Sequence, residues 1–191
     1  MKCGRRIENE SEELCSSCKR ETSAFDSGRC TFIYNSEIGE AIKQVKRNGT
    51  REFLDFFGVY CVGRHELFLK SIGPKALVPV PLTDSRLRQR GFNQSELLAQ
   101  SFSRIMGIPV KKLLVKTRNT KDQKGLNRWQ RTNNLIGAFK AEGNEPMPDK
   151  VLLVDDIYTT GSTVNACAAV LKAAGVKEVY FICIAAGTAD D

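Results

Sequence analysis

The sequence predicts an α/β fold in which helices flank a parallel, doubly wound sheet. Two continuous apolar runs, 151–154 and 179–186, have the composition of strands that are buried on both faces. Between them, residues 162–174 repeat apolar side chains at helical spacing, and Gly175 follows as a helix stop signal. A strand, a helix and a second strand in this order are typical of a parallel sheet, because crossover helices join its strands.

The chain upstream of these strands supplies further elements of the same kinds. Residues 36–47, 51–70 and 94–106 carry apolar side chains at helical spacing, which predicts three more helices. Residues 76–82 and 112–116 are short runs that predict strands. Two prolines in the first of these runs remove backbone donors from a sheet, so we expect a strand that ends as a loop there.

Residues 1–30 differ in composition from the rest of the chain. They are polar and contain four of the seven cysteines. Such a segment cannot bury a core of its own and needs another source of stability, such as a bound metal ion. Cys15 and Cys18 have the spacing of a zinc-binding pair, although flexible surface thiols are the alternative. We therefore predict a zinc-binding-like segment at 1–30 and one α/β domain at 31–191.

Two features of the sequence predict the cellular compartment of the protein. No run approaches the roughly 18 apolar residues of a membrane span, and no apolar stretch follows the first residues. We therefore expect a cytoplasmic protein without membrane insertion. In that compartment the cysteines are expected as thiols or metal ligands, not as a disulfide framework.

Basic residues are concentrated in the middle of the chain. Between positions 86 and 131 there are 12 lysines and arginines against two acidic residues, although the whole chain has a net charge of +7. This imbalance predicts an anionic partner, either a phosphate-rich small molecule or nucleic acid. Residues 117–134 lack a periodic pattern, and a loop of that length is usually functional or disordered. A second basic group is expected to be only a solvated helix face: Lys43, Lys46, Arg47 and Arg51.

The segment 151–163 is the most informative part of the sequence. After a buried strand it places two adjacent carboxylates, a glycine and four hydroxyl residues before a helix: Asp155, Asp156, Thr159, Thr160, Gly161, Ser162 and Thr163. In open parallel sheets, ligands bind outside the carboxyl ends of the strands. The N–H groups at a helix N-terminus suit a phosphate, and Gly161 lets the backbone approach it closely. The carboxylates fit two ribose hydroxyls one sugar-length away, so the segment predicts a site for a phosphorylated ribose.

Other interpretations of this segment and other chemistries are weaker. The alternative is that the acid pair only starts a turn and that Ser162 only caps a helix. The sequence has no GxxxxGK[ST] and no GxGxxG motif, which argues against P-loop and dinucleotide-binding sites. The one histidine, His65, is far from these motifs in the sequence, which argues against Ser-His-Asp and Cys-His catalysis.

The segment 151–163 resembles the phosphoribosyl pyrophosphate (PRPP) signature of type I phosphoribosyltransferases. Two further strings match a narrower family: Val78-Pro-Val-Pro81 followed by Arg86-Leu-Arg-Gln-Arg-Gly-Phe-Asn-Gln94, and Gln123-x-x-Leu126 followed by Arg131-x-x-Asn134. Together with the Cys-rich start, they resemble the ComF/GntX family of competence-associated proteins over essentially the whole chain. The resemblance implies a type I phosphoribosyltransferase-like parallel sheet flanked by helices, with a small zinc-finger-like segment at its N-terminus.

The resemblance also implies roles for particular residues. Asp155 and Asp156 would hold the ribose hydroxyls, residues 159–163 would cradle the 5′-phosphate, and residues 117–134 would be a mobile flap. A Mg²⁺ ion would bridge the pyrophosphate and the ribose. The pyrophosphate side would be formed by Arg86, Arg88, Arg90, Asn93 and Gln94. Catalytic roles would fall to Asp155, Asp156, Arg118 and Lys124, with Lys121, Arg128 and Arg131 as further flap cations.

The family pattern contains paired CxxC elements, and this chain departs from it. Cys3 corresponds to the second half of one element, whose first cysteine would precede Met1. The implied zinc ligands are Cys3, Cys15, Cys18 and Cys30, the last as a replacement fourth ligand. The alternatives are that the start site is mis-set or that the metal site is lost.

Three functions of different classes follow from these patterns. The first is phosphoribosyl transfer to an unknown acceptor. The second is a non-catalytic PRPP-sensing protein of DNA uptake, whose basic stretch, with Phe92 and Trp129 as stacking surfaces, holds single-stranded DNA. The third is an adaptor whose zinc segment docks a partner, such as a DNA-uptake helicase.

Overall fold

The computed structural model describes residues 2–7, 12–20, 22–48, 50–118, 135, 137–143 and 146–187. The described helices are α1 (Ser16–Arg20), α2 (Ser36–Asn48), α3 (Arg51–Arg64), α4 (Glu66–Ile72), α5 (Asp84–Arg90), α6 (Gln94–Met106) and α7 (Ser162–Ala173). The described strands are β1 (Ser27–Ile33), β2 (Ala76–Pro79), β3 (Leu114–Lys116), β4 (Phe139–Ala141), β5 (Lys150–Tyr158) and β6 (Glu178–Ala186).

The main sheet has the strand order β1-β6-β5-β2, and every neighbouring pair is parallel. β5 lies inside the sheet, between β6 and β2, and pairs with β6 from Lys150 to Tyr158. Beyond β2, Leu77 forms a parallel bridge with Val110. β3 and β4 form a separate antiparallel pair. The predicted α/β fold with a parallel sheet is confirmed, and the carboxyl ends of β5 and β2 lie side by side.

Apolar side chains cover both faces of this sheet, as expected for parallel strands. On one face, Leu77, Leu152 and Ile182 pack against the helices α2, α3, α4 and α6. On the other face, Val151 and Phe181 belong to a cluster that includes α7 and the β3–β4 pair. Alternate residues of β5 therefore face opposite layers, and both layers are closed by helices.

The Cys-rich segment packs directly against the second of these faces. Cys3, Cys15 and Phe25 are buried in the same cluster as Val151. The N–H of Gly28 donates to the Lys2 carbonyl oxygen at 2.7 Å, which ties the start of the chain to β1. The predicted boundary at residue 30 thus falls within a strand of the main sheet.

Two elements differ from the sequence prediction for identifiable reasons. β1 was not predicted, because an edge strand needs no continuous apolar run and most of its residues are only half-buried. The predicted helix 51–70 is two helices, α3 and α4, which meet at His65 with φ −115° and ψ 21°. Among the described residues, no helix combines the length and apolar character that crossing a bilayer requires.

Candidate functional site

The acid pair Asp155 and Asp156 lies near the carboxyl end of β5, and both residues are only 8% exposed. Asp155 Oδ1 accepts hydrogen bonds from the Ser95 hydroxyl at 3.1 Å and from the Asp156 N–H at 2.9 Å. Asp156 Oδ1 accepts one from the Ile157 N–H at 2.8 Å. These bonds to α6 and to the main chain fix the orientation of both carboxyl groups.

The charge of Asp156 opposes the ionisation of its buried neighbour Asp155. Burial, and next the charge of Asp156, raise the pKa of Asp155 to about 7. Lys46 partly offsets this, because its ammonium lies 2.5 Å from Asp156 Oδ2 in an ion pair. Asp155 is therefore the group of this site whose charge changes near neutral pH.

Lys46 was missed as a site residue by the sequence prediction. It was expected on a solvated helix face, whereas its side chain is 30% exposed and reaches the acid pair from the end of α2. The helical spacing could have indicated this position, because Lys46 lies one turn after Ile42 and next to Val45, and both of these residues are buried. Charge alone could not separate Lys46 from its exposed neighbour Lys43.

The loop after β2 is held beside the acid pair by two helix caps. The Thr83 hydroxyl accepts a hydrogen bond from the Arg86 N–H at 3.4 Å at the start of α5. Asn93 caps α6 by accepting from the Ser95 N–H at 3.0 Å, and its amide donates to the Val80 carbonyl oxygen at 3.0 Å. Asn93, predicted on the pyrophosphate side, therefore ties the loop to the helix that carries Ser95.

A basic cavity of about 470 Å³ opens next to this loop, and we call it the α5 cavity. Arg86 and Arg90 lie one turn apart on α5 and both line it. Arg88 is exposed on another side of the helix and does not line it. Among the described residues, the lining is basic or neutral throughout: Lys46, Arg47, Arg86, Gln89 and Arg90. This surface suits a ligand with several negative charges.

Burial and the neighbouring positive charge of Arg86 lower the pKa values of two cations at or near this cavity, Lys116 and Arg90. Burial, and then the charge of Arg86, lower the pKa of the neighbouring Lys116 on β3. Burial also lowers the pKa of Arg90, against the opposing effect of Asp156. The Arg90 guanidinium donates to the Gln94 side-chain oxygen, so Gln94 orients this arginine. An anion in the α5 cavity would relieve this repulsion.

The loop from Thr159 to Thr163 connects the acid pair to α7. Gly161 has φ +80°, and a Cβ at this position would lie 2.3 Å from Tyr158 Oη. Glycine is required here both by the backbone conformation and by the space. The hydroxyls of Thr160 and Ser162 lie 2.8 Å apart at the start of α7, where the positive end of the helix dipole is directed at the loop.

An aromatic cluster supports this loop from below. The Tyr158 ring stacks on Phe181 with 4.9 Å between centroids, and Phe25 contacts both rings edge-on. The Arg5 guanidinium lies 5.0 Å above the Tyr158 ring. Burial raises the pKa of the Tyr158 hydroxyl well above its usual range, so this residue is neutral. Tyr158 thus acts as a rigid support for Gly161.

Three of the predicted zinc ligands meet in space. The sulfurs of Cys3, Cys15 and Cys18 all lie within 4.8 Å of one another, and those of Cys3 and Cys15 are 3.4 Å apart. A tetrahedral zinc ion with bonds of about 2.3 Å would separate its sulfurs by roughly 3.8 Å, so the three thiols fit such an ion. Cys30 is not in this group, and its thiol donates to the Cys3 carbonyl oxygen at 3.6 Å.

The cysteines of this cluster differ in acidity. Burial raises the pKa of Cys3 well above its usual range. Burial acts in the same direction on Cys15, but the N–H of Cys18 and hydrogen bonds from the Cys3 and Cys18 side chains outweigh it and lower the pKa of Cys15. The Cys15 thiolate is therefore the one that forms most readily, and the cluster can hold a thiophilic metal.

The predicted flap is only partly included in the structure. Arg118 is described and exposed, close after β3. Lys124 lies outside the described residues, as do Lys121, Arg128, Trp129 and Arg131. Their predicted roles in catalysis and in binding stay predictions.

This chain is similar to known proteins along most of its length. Residues 80–191 match the family model of the phosphoribosyl transferase domain. The chain is 30% identical over 191 residues to Competence protein ComFC of Streptococcus pneumoniae, covering 93% of this chain and 82% of that protein. It is 40% identical over 109 residues to Competence protein F of Haemophilus influenzae, covering 56% of this chain and 48% of that protein. It is 38% identical over 113 residues to DNA utilization protein YhgH of Escherichia coli K12, covering 58% of this chain and 49% of that protein.

Proposed function

The chain belongs to the ComF family of phosphoribosyl transferase domain proteins, and on this basis we propose that it binds PRPP across the carboxyl ends of β5 and β2. One observation carries the proposal. The α5 cavity adjoins the buried acid pair, because Lys46 lines the cavity and contacts Asp156, and the Gly161 loop follows Asp156 in the chain. This order matches the order of groups in PRPP, whose ribose lies between a 5′-phosphate and a pyrophosphate.

In this proposal, Asp155 and Asp156 accept hydrogen bonds from the two ribose hydroxyls. The hydroxyls and N–H groups of 159–163 bind the 5′-phosphate at the N-terminus of α7. Arg86 and Arg90 bind the pyrophosphate from the α5 cavity. Each charged group of the ligand then meets a surface of opposite charge, and each neutral hydroxyl meets a carboxylate.

Mg²⁺ fits the same arrangement. It prefers oxygen ligands, takes few of them from the protein, and shares sites with phosphate groups. The two carboxyl groups of the acid pair and the oxygens of PRPP would supply such ligands, and the ion would add positive charge beside the pyrophosphate. Lys46 occupies Asp156 Oδ2 without the ligand, so it would turn from the acid pair towards the α5 cavity that it also lines.

The same groups suit transfer of the phosphoribosyl unit. A lone pair of the acceptor would form a bond to C1′ of the ribose while the C1′–oxygen bond to pyrophosphate breaks. The bonding electrons would leave with the pyrophosphate, and the acceptor would release one proton to solvent. Positive charge develops on the sugar and negative charge on the leaving group, so the acid pair and the arginines stabilise opposite ends of the transition state.

Calorimetric titration with PRPP, with and without Mg²⁺, tests the proposal. We expect saturable, Mg²⁺-dependent binding by the natural chain. Asp155→Asn with Asp156→Asn should weaken it by at least about 100-fold, since charged hydrogen bonds contribute about 1.5–3 kcal/mol each. Asp149→Asn is the matched control, because the Asp149 side chain is exposed and pairs with Lys177, away from the acid pair.

The outcome is informative only if the variants fold, so unfolding temperatures are measured beside each titration. Asp155→Asn alone is the second variant, because it leaves the ion pair of Lys46 with Asp156 in place. Unchanged affinity in the folded double variant would reject the site. Absence of PRPP binding by the natural chain would reject the function.

Binding of single-stranded DNA is a second candidate function. It is favoured by the basic lining of the α5 cavity and by two further exposed arginines, Arg88 on α5 and Arg118 after β3. A relative is also named for DNA utilization. Titration of a labelled oligothymidine at several salt concentrations tests it, because log affinity should fall by about 0.7 per phosphate contact. Binding that ignores salt would remove this candidate. Docking of a partner such as a DNA-uptake helicase stays a prediction from the family resemblance.

A further inference from the structure

A second large cavity opens at the carboxyl ends of β1 and β6, and we call it the β1 cavity. Its volume is about 680 Å³, within the range of small-molecule sites. Phe32, Ile38 and Ala186 give it an apolar wall. Three arginines and two neutral polar residues provide the rest of its polar lining: Arg5, Arg6, Arg64, Thr31 and Asn35.

The charge of this cavity is not balanced by the described residues that line it, none of which is acidic. Arg5 is only 3% exposed, and its Nε has no hydrogen-bond partner among the described residues. Its contact with the Tyr158 ring does not replace a hydrogen-bond acceptor. A buried guanidinium N–H without an acceptor is costly and uncommon. Arg5 also lines the β1 cavity, so a negative charge bound there would stabilise this buried cation.

The β1 cavity and the α5 cavity lie on opposite sides of the acid pair. Along the sheet order β1-β6-β5-β2, the first is at β1 and β6, the acid pair is on β5, and the second follows β2. Ala186, which lines the β1 cavity, pairs in register with Tyr158, two residues after Asp156.

Helix α2 extends from the β1 cavity to the acid pair and the α5 cavity. It begins at the β1 cavity, where Ile38 donates its N–H to the Asn35 side chain at 2.9 Å. Eight residues later, about 12 Å along the helix axis, Lys46 contacts Asp156 and lines the α5 cavity. A ribose on the acid pair would therefore have its leaving group at one end of α2 and the β1 cavity at the other.

We propose that the β1 cavity is the acceptor subsite, and that it takes an acceptor in which an apolar or aromatic body carries a carboxylate or phosphate group. This inference rests on the proposed PRPP function, because displacement at C1′ brings the acceptor in from the side opposite to the pyrophosphate. The apolar wall holds the body of the acceptor, and Arg5, Arg6 and Arg64 hold its acidic group.

Fluorine NMR titration of the full chain with two isosteric probes tests the charge requirement. Para-fluorobenzoate and para-fluorobenzamide share one body and differ in charge. We expect the benzoate to bind at least about tenfold more tightly than the benzamide, as for one lost charged hydrogen bond. Arg6→Gln with Arg64→Gln should weaken benzoate binding by about tenfold or more. Both side chains are exposed, so the fold should tolerate the changes.

Arg104→Gln is the control for the loss of one exposed arginine, because Arg104 pairs with Asp55 and does not line the β1 cavity. It should leave benzoate binding unchanged. Equal binding of both probes, or equal effects of the three arginine substitutions, would overturn the proposal. PRPP binding is measured on the same proteins by calorimetry and should be unaffected by the changes at Arg6 and Arg64.

The acceptor role is tested by adding PRPP with Mg²⁺ to the benzoate complex. We expect both ligands to bind together. Displacement of the benzoate by PRPP would overturn the acceptor assignment while leaving the PRPP function intact. If PRPP does not bind the natural chain at all, the proposed function fails, and the acceptor assignment fails with it whatever the benzoate does.

Discussion

The acid pair and the cysteine cluster are both buried groups of ligand atoms, but they are built in opposite ways. Asp155 and Asp156 are neighbours on one strand, and residues from α2, α5 and α6 surround them. The cysteine sulfurs come from two separate stretches, around Cys3 and around Cys15, which meet against the sheet. The first group depends on charges that distant parts of the chain supply, and the second depends on a fold that a metal would hold together.

This difference leads us to expect different consequences when each group is disturbed. Damage at the acid pair and its loop should change ligand affinity more than stability, because the sheet beneath is closed by its own core. Damage at the cysteine cluster should change stability more than ligand affinity.

The largest expected effect is at Gly161, in the loop that follows the acid pair. Gly161→Ala forces a Cβ towards Tyr158 Oη, 2.3 Å away, at a φ of +80°. We expect PRPP affinity to fall by at least about 100-fold, equal to about 2.7 kcal/mol, as the phosphate loop changes shape. The strained backbone should also cost about 1–3 kcal/mol of stability. Calorimetry and chemical unfolding measure the two effects.

Gly107→Ala is the control for backbone strain. Gly107 also has positive φ, +69°, but no atom lies within 4 Å of its added Cβ. It should lose stability and keep PRPP affinity. If the two substitutions lower affinity equally, the loop is not the phosphate site.

The next effect concerns the cysteine cluster and the metal that it would hold. Cys15→Ser should remove one bound zinc, measured by metal analysis, and lower the unfolding temperature by about 5–10 °C. PRPP affinity should change by less than about fivefold, equal to about 1 kcal/mol. Cys61→Ala is the control, since Cys61 is buried on the other face of the sheet. A collapse of PRPP affinity in the folded zinc-free protein would show that the two groups act as one site.

Local order made the acid pair and its loop predictable from the sequence. Strand, carboxylates, glycine and helix follow one another within residues 151–163, so spacing alone implies that they meet. The surroundings were not predictable in this way. Lys46 and Ser95 reach the pair from distant helices, and only the tertiary fold distinguishes Lys46 from Lys43.

The cysteine cluster was also only partly predictable from the sequence. The pair Cys15 and Cys18 was readable from spacing, and Cys3 joins them in space. The place of Cys30 was not readable, because it lies on the unpredicted edge strand β1 and its side chain is fixed by strand register. Edge strands have weak sequence signals, so a residue's face on them cannot be read in advance.

A smaller effect is expected at Lys46. Lys46→Gln removes the ammonium that faces Asp156 and lines the α5 cavity. We expect PRPP affinity to fall by about tenfold, as for the loss of one charged contact with the pyrophosphate. Lys43→Gln is the control, because Lys43 is exposed on the same helix and pairs with Glu40 at 3.2 Å. Equal effects of both substitutions would mean that only net charge matters.

The last expected effect is the pH dependence of the acid pair, which is small over any single pH unit. Burial and Asp156 raise the pKa of Asp155 from 3.8 to about 7, so the folded state binds more protons than the unfolded state between these values. The stabilisation from this proton is present below pH 3.8 and is lost as pH rises to about 7. The slope is at most about 1.4 kcal/mol per pH unit. The free energy of unfolding, measured across this pH window, should fall by that slope in the natural chain and not in Asp155→Asn.

PRPP affinity should change with pH in the direction opposite to stability, because the ionised carboxylate is the better acceptor for ribose hydroxyls. PRPP affinity should rise as pH increases through about 7 in the natural chain, and this part of the rise should be absent in Asp155→Asn. Burial lowers the pKa of His65 to about 4, so the one histidine does not titrate near pH 7 in the folded protein. An identical pH profile in both proteins would assign the titration to the phosphates of PRPP and would leave Asp155 as a structural carboxyl group of the strand.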